Sequence, residues 1–466
     1  MRPLLRLRKG PQLDQTRDFD LIVIGSGSAG SSCWYSARQM GKSVAVFEDE
    51  TLGGECPTYA CVPTKALLHC AEVFELTRDA SRFGVETDAI LSYPAVKAWK
   101  DRVVSLTGAA EGERPYIDMG VHVVRHRARF VAPDTIEAGG VRYKAERFLI
   151  STGSSQRIPE VEGLEEAGYL TFREAIELTR LPRSLFILGG GAVGCEFAQL
   201  FSSFGVAVTL ADRNDRLLHT EDPEAGDFLR QHFERRGVTV RPGATFTRIS
   251  LEGRRKRLFL QQDGRSDSLL VDEVLIATGK SPNVDLGLEN AGIEYDAARG
   301  VTVDATLRTT NPRVYAAGDV AGPFRFTHAA SYQGGIAAAN MFGPSEQRVD
   351  SAAMPRSVYT LPEVASVGMT EAQARQQHGE VLIGRSDLFE NDRALTTGER
   401  TGFVKVVAAP DGRLLGGLAC IPRAGEVIHE LGLAIRLGAT AQQVATTIHA
   451  FPTYSEVLGA ACAAIG

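Results

Sequence analysis

The sequence predicts an α/β fold built on two Rossmann-like units, with a smaller C-terminal α+β segment. Three observations carry this. The order strand, G-x-G-x-x-G, helix, strand, acidic residue occurs twice in the 466 residues, starting at Asp20 and again at Ser184. Forty-eight glycines fit an α/β chain with many tight strand-to-helix turns. The last part of the chain carries two apolar strand-like runs and then one amphipathic helix, without a third glycine fingerprint. A chain of this length exceeds one ordinary core, so two to four domains are expected.

In the first unit, Asp20–Ile24 is a short apolar run of the buried parallel-strand type. It enters Gly25-Ser26-Gly27-Ser28-Ala29-Gly30, then a helical segment to Met40 and a second strand, Ser43–Phe47, ending at Glu48. Gly25, Gly27, Ala29 and Gly30 allow a tight turn and bring backbone amides against a pyrophosphate at a helix N-terminus. Glu48 stands where a carboxylate accepts a hydrogen bond from a ribose hydroxyl.

Next comes Gly53-Gly54-Glu55-Cys56-Pro57-Thr58-Tyr59-Ala60-Cys61-Val62-Pro63-Thr64-Lys65. Two thiols five residues apart close a small disulfide ring if the second opens a helix, where the helix N-terminus and a nearby lysine stabilise a thiolate. A structural disulfide or two unrelated buried cysteines are the alternatives that these residues alone leave open.

The second unit repeats the pattern as strand Ser184–Leu188, the loop Gly189-Gly190-Gly191-Ala192-Val193-Gly194, a helix through Phe204, and strand Val206–Ala211 ending at Asp212. Two such units imply two dinucleotides. Gly194 and Asp212 favour NAD(H), because a carboxylate repels a 2′-phosphate; Arg213 next door is the residue that could hold that phosphate instead. NAD(H) is the preferred expectation. Strands over Gly402–Val407 and Leu414–Cys420 and an amphipathic helix over Glu426–Leu437 complete the reading.

With these motifs the chain resembles the class I pyridine nucleotide-disulfide oxidoreductases, the flavoprotein family of dihydrolipoamide dehydrogenase, glutathione reductase and mercuric reductase. The match runs from about Asp18 to the C-terminus in the family's order. Ser151-Thr152-Gly153-Ser154 and Ala277-Thr278-Gly279-Lys280 look like the family's two crossings between domains. Val314–Asp319 looks like its second FAD motif, in which Gly318 and Asp319 meet the flavin's ribityl chain. Ala128, between Arg127 and Arg129, sits where a backbone group meets the adenine. The resemblance implies a basic arm over 1–17 and a discontinuous FAD-binding domain over 18–155 and 283–348. It also implies an NAD(P)-binding domain over 156–282 and a dimerisation domain over 349–466. One FAD would be held tightly per subunit of a homodimer whose active site is shared.

The resemblance also assigns roles. Cys61 would face the flavin and Cys56 would exchange with the acceptor. Lys65 would sit near the flavin, paired with Glu196. His328 opens a helix just after the second FAD motif, and that N-terminus would favour an anionic flavin. Ala192 replaces the tyrosine that lies over the flavin in glutathione reductase, which implies an open nicotinamide pocket.

One departure matters most. The family's thiol enzymes carry H-P-T-x-x-E near the C-terminus, whose histidine shuttles protons while the glutamate orients it. Here the register reads Phe451-Pro452-Thr453-Tyr454-Ser455-Glu456, keeping Glu456 and losing the histidine. A phenyl ring transfers no proton, so general acid–base help of about a hundredfold is missing there. His449, two residues earlier, replaces it only if the backbone turns it inward. Mercuric reductases also lack this histidine, but they end in a vicinal cysteine pair, and this chain carries the single Cys462 in that stretch. The redox motif departs as well, at Glu55, Pro57, Thr58 and Tyr59. The remaining cysteines, Cys33, Cys70, Cys195 and Cys420, read as core.

The expected activity is therefore electron transfer from NAD(P)H through FAD and Cys56/Cys61 to a disulfide, metal ion or other small acceptor, in the manner of mercuric reductase. The alternatives are a dihydrolipoamide dehydrogenase serving a multienzyme complex, or a diaphorase reducing quinones. A net charge of -6 gives no reason to expect nucleic acid as a partner. Seven cysteines, an odd number, do not read as a secreted disulfide framework. No apolar run approaches a membrane span, no resident metal is expected, and Leu4–Leu7 is too short an apolar cluster for a signal-peptide core. A soluble cytoplasmic protein with a loosely docked N-terminal arm is expected.

Overall fold

The computed structural model describes residues 16–108 and 111–465. The expected N-terminal arm, apart from Thr16 and Arg17, lies outside the described residues. The chain separates into two compact units.

The first unit holds the described residues up to Thr58, with Gly108–Ser155 and Ser281–Val349. Its sheet runs in the order His122–Val124, Val44–Phe47, Thr16–Ile24, Val141–Ile150, Thr135–Ala138, Arg129–Ala132, and Val314–Ala316 also pairs with Val141–Ile150. The strands from 122 to 150 that carry the nucleotide loop pair in parallel, while 129–132 and 135–138 form an antiparallel return. Period-2 alternation decides which side chains face which layer. Leu21 and Val23 pack under the helices Ser28–Gln39 and Thr327–Phe342, whereas Ile22 and Ile24 enter the opposite core with Phe130, Phe148 and Val314. All four of those strand residues are at most 3% exposed, so both faces of this strand are covered.

The second unit holds Tyr59–Thr107, Gln156–Lys280 and the residues from Asp350 on. Its parallel sheet has the order Thr239–Pro242, Ala207–Asp212, Ser184–Leu188, Glu273–Ile276. Leu185 and Ile187 face the helix Ala192–Ser203, and Phe186 and Leu188 face the antiparallel meander Thr245–Glu252, Arg255–Gln262, Arg265–Val271. A five-stranded antiparallel sheet follows, in the order Pro355–Val358, Glu363–Gly368, Leu414–Ile421, Phe403–Ala408, Leu382–Asp387. Helices Ala424–Arg436 and Ser455–Ala463 pack on it. One core runs through the helix Cys61–Arg78, the parallel sheet and Val358, Phe403 and Leu418 of the antiparallel sheet.

Each strand and helix expected from the glycine fingerprints forms within a residue or two of its expected bounds. Cys33, Cys195 and Cys420 are fully buried, but Cys70 is half-buried at the edge of the core, because its helix turns that position partly toward solvent.

Charged groups also bind the parallel and antiparallel sheets of the second unit. Lys405, 5% exposed on strand Phe403–Ala408, pairs with Asp222 at 3.1 Å, Glu224 at 2.8 Å and Glu371 at 2.7 Å. Asp222 is at the same time the N-cap of helix Pro223–Arg235, accepting from the Glu224 amide. Burial alone would lower the Lys405 pKa, but the bonds and charges of Glu224, Glu371 and Asp222 outweigh it and hold the ammonium ionised. Removing the cation strands three carboxylates. Lys405→Met is expected to lower unfolding free energy by about 3–5 kcal/mol in urea titrations, and a loss below about 1 kcal/mol would contradict this account.

Candidate functional site

The two glycine loops are built by one device. In the first, Gly25 has φ 98°, and a Cβ there would fall on the Ser151 carbonyl; a Cβ on Gly30 would fall on the Gly25 carbonyl. The outer glycines thus permit the turn and the helix approach, while Gly27 stands at the N-cap of Ser28–Gln39 with no side-chain cap bond. Gly54, at φ 75°, presses against Gly27, where a Cβ would come within 2.6 Å of the Gly27 Cα. Ala29 is buried beneath the loop. The Glu48 carboxylate accepts from the Ser26 amide at 2.9 Å and its hydroxyl at 2.7 Å, and from the Glu50 amide at 2.9 Å. Glu48 therefore anchors the loop and keeps spare lone pairs for a ligand hydroxyl.

The second loop repeats this. Gly189 has φ 117° and abuts the Ala277 carbonyl, and a Cβ on Gly194 would fall on the Gly189 carbonyl. Gly191 is the N-cap of Ala192–Ser203 and has open space around it. Asp212 is buried, accepts from the Gly190 amide, and takes the Asn214 amide and side chain at 2.7 Å each. Arg213 is exposed. Gly279, at φ 91°, accepts the Arg157 amide at 2.9 Å.

In the first unit Asp319 accepts from Ser154 at 2.6 Å, and the Gly318 amide donates to buried Gln333 at 2.8 Å. Thr152 and Gly153 are pinned by Asn283, with bonds of 2.7, 2.9 and 3.0 Å. Ala128 is 2% exposed, and its neighbours Arg127 and Arg129 pair with Asp285 at 3.0 and 2.6 Å. His328 is the second residue of Thr327–Phe342, exposed, with its ring stacked on Phe326. Tyr116 is buried against the first loop, in contact with Ser26, Ser31 and Gly53. Sequence reasoning missed Gln333 and Tyr116, since neither belongs to a local motif.

Cys56 lies in the short helix Glu55–Thr58, and Cys61 is the first residue of Cys61–Arg78. Ala60, its N-cap, offers no side-chain bond, so the first-turn amides keep their partial positive charge for the sulfur. Lys65, one turn on, donates to both oxygens of Glu196 at 3.0 and 2.8 Å. Glu196 is 5% exposed on Ala192–Ser203, and its Oε1 also accepts the Tyr359 amide at 3.1 Å. Burial alone would lower the Lys65 pKa; the charge and bonds of Glu196, with Cys61 and Tyr359, outweigh it and keep the ammonium charged. The Tyr359 ring lies under the Lys65 ammonium, 4.7 Å from Nζ, and is 40% exposed. The bulky group beside this pair is therefore Tyr359, a residue that sequence reasoning missed, and Ala192 one turn before Glu196 stays small.

The other thiols are poor nucleophiles. Burial pushes Cys33 and Cys462 up to about 12 and raises Cys70, Cys195 and Cys420 as well.

Near the C-terminus, His449 is bonded through Nε2 to Glu430 at 3.0 Å, and Glu456 accepts the Thr453 amide at 2.7 Å. These two candidates are thus not brought together as a pair. Tyr454 bonds Thr397 at 2.8 Å, and Phe451 is 72% exposed. Among the described residues no cluster of three or more His, Cys, Asp or Glu could hold a metal ion, and no helix is long and apolar enough to cross a membrane.

Comparison with known proteins places this geometry. Residues 19–334 match the family model of pyridine nucleotide-disulphide oxidoreductases, and residues 354–462 match that family's dimerisation domain. A mercuric reductase of Lysinibacillus sphaericus is 34% identical over 95% of this chain and 81% of its own length. A dihydrolipoyl dehydrogenase of Thermus scotoductus is 36% identical over 96% of this chain and 98% of its own. The solved HOCl-induced flavoprotein disulfide reductase RclA of Escherichia coli aligns with a TM-score of 0.86 and 26% identity, over 96% of this chain and 100% of that one; its Cu(II) complex aligns equally well. Members of this family are FAD-dependent and use NAD(P)H, and the dimerisation domain supports a homodimer. The chain belongs to the class I pyridine nucleotide-disulphide oxidoreductase family and is a flavin-dependent oxidoreductase of the disulfide-reductase type.

Proposed function

We propose that this enzyme passes electrons from NAD(P)H through FAD to Cys56 and Cys61, and from them to a metal ion, disulfide or other small oxidant. The observation that carries the reading is the Lys65–Glu196 pair, held one turn after Cys61 on an uncapped helix start. The crowded outer glycines and the open Gly27 and Gly191 positions fit dinucleotide pyrophosphates in both loops. FAD, when bound, supplies the chemistry that takes a hydride from the nicotinamide and releases electrons in pairs.

The chain's own residues do the rest. Gly25, Gly27, Ala29, Gly30 and Glu48 would hold the FAD pyrophosphate and ribose, Ala128 would meet its adenine, and Thr152, Gly153, Gly318, Asp319 and His328 would line its remainder. Gly189, Gly191, Gly194, Asp212 and Gly279 would hold the nicotinamide dinucleotide. Lys65, kept charged by Glu196, would offset negative charge arriving at the flavin. Cys61 would face the flavin, and Cys56 would exchange with the acceptor as a thiolate. The three-domain division expected above, with FAD-binding, NAD(P)-binding and dimerisation parts, is our assignment of these roles to the chain.

The acceptor is proposed to be of the mercuric-reductase kind. The mercuric reductase relatives and the Cu(II) complex of RclA support a metal ion. Phe451 supports the same choice, since a dithiol substrate needs the proton carrier that is missing at that position. His449, bonded to Glu430, and Glu456, bonded to the Thr453 amide, would shape this segment rather than move protons. We also propose a cytoplasmic setting, where free thiols persist.

Steady-state turnover of the FAD-loaded enzyme with NADH against Hg²⁺, glutathione disulfide, lipoamide and a quinone tests the acceptor. Cys56→Ser is expected to lose at least about a hundredfold of turnover with the preferred acceptor. Undiminished turnover would make the enzyme a diaphorase, and brisk lipoamide turnover would make it a dihydrolipoamide dehydrogenase. NADH is proposed as the better donor, on the strength of Asp212. Rapid-mixing flavin reduction is expected to be faster with NADH than with NADPH. A strong NADPH preference would show that Arg213 outweighs Asp212.

A further inference from the structure

Tyr59 departs from the usual wording of the redox motif, and the second unit shows what holds it. The Arg173 guanidinium stacks on its ring, 3.9 Å from the centroid, and donates to its hydroxyl at 2.7 Å. Phe172 stacks beside it, with centroids 6.4 Å apart and planes at 28°. This anchor is itself rigid. Phe172 is 6% exposed in the main core, and the turn Phe172–Ala175 starts with a capping box in which Thr171 and Glu174 satisfy each other's backbone. The Lys280 ammonium sits 5.1 Å over the Phe172 ring, extending the stack.

Tyr59 and Ala60 are the only residues between the short helix bearing Cys56 and the long helix that Cys61 opens. Ala60 has φ -122° and ψ -97°, outside the regular helix and strand regions, so this link is not held by repetitive backbone bonding. Both cysteines are free thiols in this structure, and the Tyr59 clamp is formed. The clamp thus exists in the dithiol form.

We propose that Arg173 is a positioning residue that acts through Tyr59 to set the balance between the dithiol and the disulfide of Cys56 and Cys61. This rests on the reading of that pair as the redox centre. In the reductive step two electrons arriving from FAD break the S–S bond. Cys61 is left as a thiolate and Cys56 as a thiol that has taken one proton from water. The reverse step closes a loop through Pro57, Thr58, Tyr59 and Ala60. Closing costs the freedom of that loop, and the clamp removes part of that freedom beforehand, so the disulfide is favoured. Releasing Tyr59 shifts the balance toward the dithiol.

The test equilibrates the FAD-loaded enzyme in oxidised and reduced glutathione buffers, traps free thiols with a maleimide and reads Cys56 and Cys61 by mass spectrometry. Tyr59→Val removes the ring. Arg173→Lys keeps the charge and loses the planar stack, which separates position from electrostatics. Both are expected to favour the dithiol by about tenfold, an upward shift of about 30 mV for a two-electron couple. Tyr59→Phe, which loses only the hydroxyl bond, should fall between them and the unaltered enzyme. If both Tyr59→Val and Arg173→Lys stay within about twofold of the parent, or move the other way, the proposal is overturned while the redox pair stands. If Cys56 and Cys61 form no disulfide in the parent enzyme, the reading of the pair itself fails.

Discussion

The buried carboxylate of Glu196 is the constraint on which the site depends. A carboxylate this buried is costly unless paired and bonded. Glu196 meets that condition with the Lys65 ammonium on one helix and the Tyr359 amide at the end of a strand. Three segments far apart in sequence are thereby fixed around one charge: the helix that Cys61 opens, the helix after the second glycine loop, and the start of the antiparallel sheet. Lys65 stays charged, and Tyr359 lies against it. The chemistry proposed for the thiols uses a cation that the fold has already immobilised.

The two nucleotide loops show a second economy. In each, the acid ending the second strand accepts a backbone amide from the residue following the first glycine, Ser26 for Glu48 and Gly190 for Asp212. The carboxylate shapes the loop before any ligand arrives, and the middle glycine is left uncapped at the helix start. Repetition of this arrangement in the two units explains why both fingerprints could be read with the same rule.

That rule also marks how far the sequence could be read. Strands, loops and helices of the two Rossmann-like units follow from local pattern, because hydrophobic period and glycine spacing are properties of neighbouring residues. Cys61 at a helix start and the pairing of Lys65 with Glu196 were legible through the resemblance. Tyr359 and Gln333 were not, because each reaches the site through a single bond from another part of the chain, and nothing around them in sequence announces it. Tyr59 was visible as a departure, but its partner Arg173 lies 114 residues away, so its purpose was not. His449 was legible as a candidate, while its bond to Glu430 depends on how two helices pack.

Loss of the histidine at Phe451 leaves the thiol pair with electrostatic help and no proton carrier at that place, which suits an acceptor that needs electrons and sulfur ligands more than protons. The whole account requires that electrons from NADH reach Cys56 and Cys61. Anaerobic addition of NADH to the oxidised FAD-loaded enzyme, followed by maleimide trapping and mass spectrometry, measures this directly. The account predicts that NADH exposes two new labelled thiols, at Cys56 and Cys61 and at no other cysteine. Labelling at these two residues that is the same with and without NADH would contradict it.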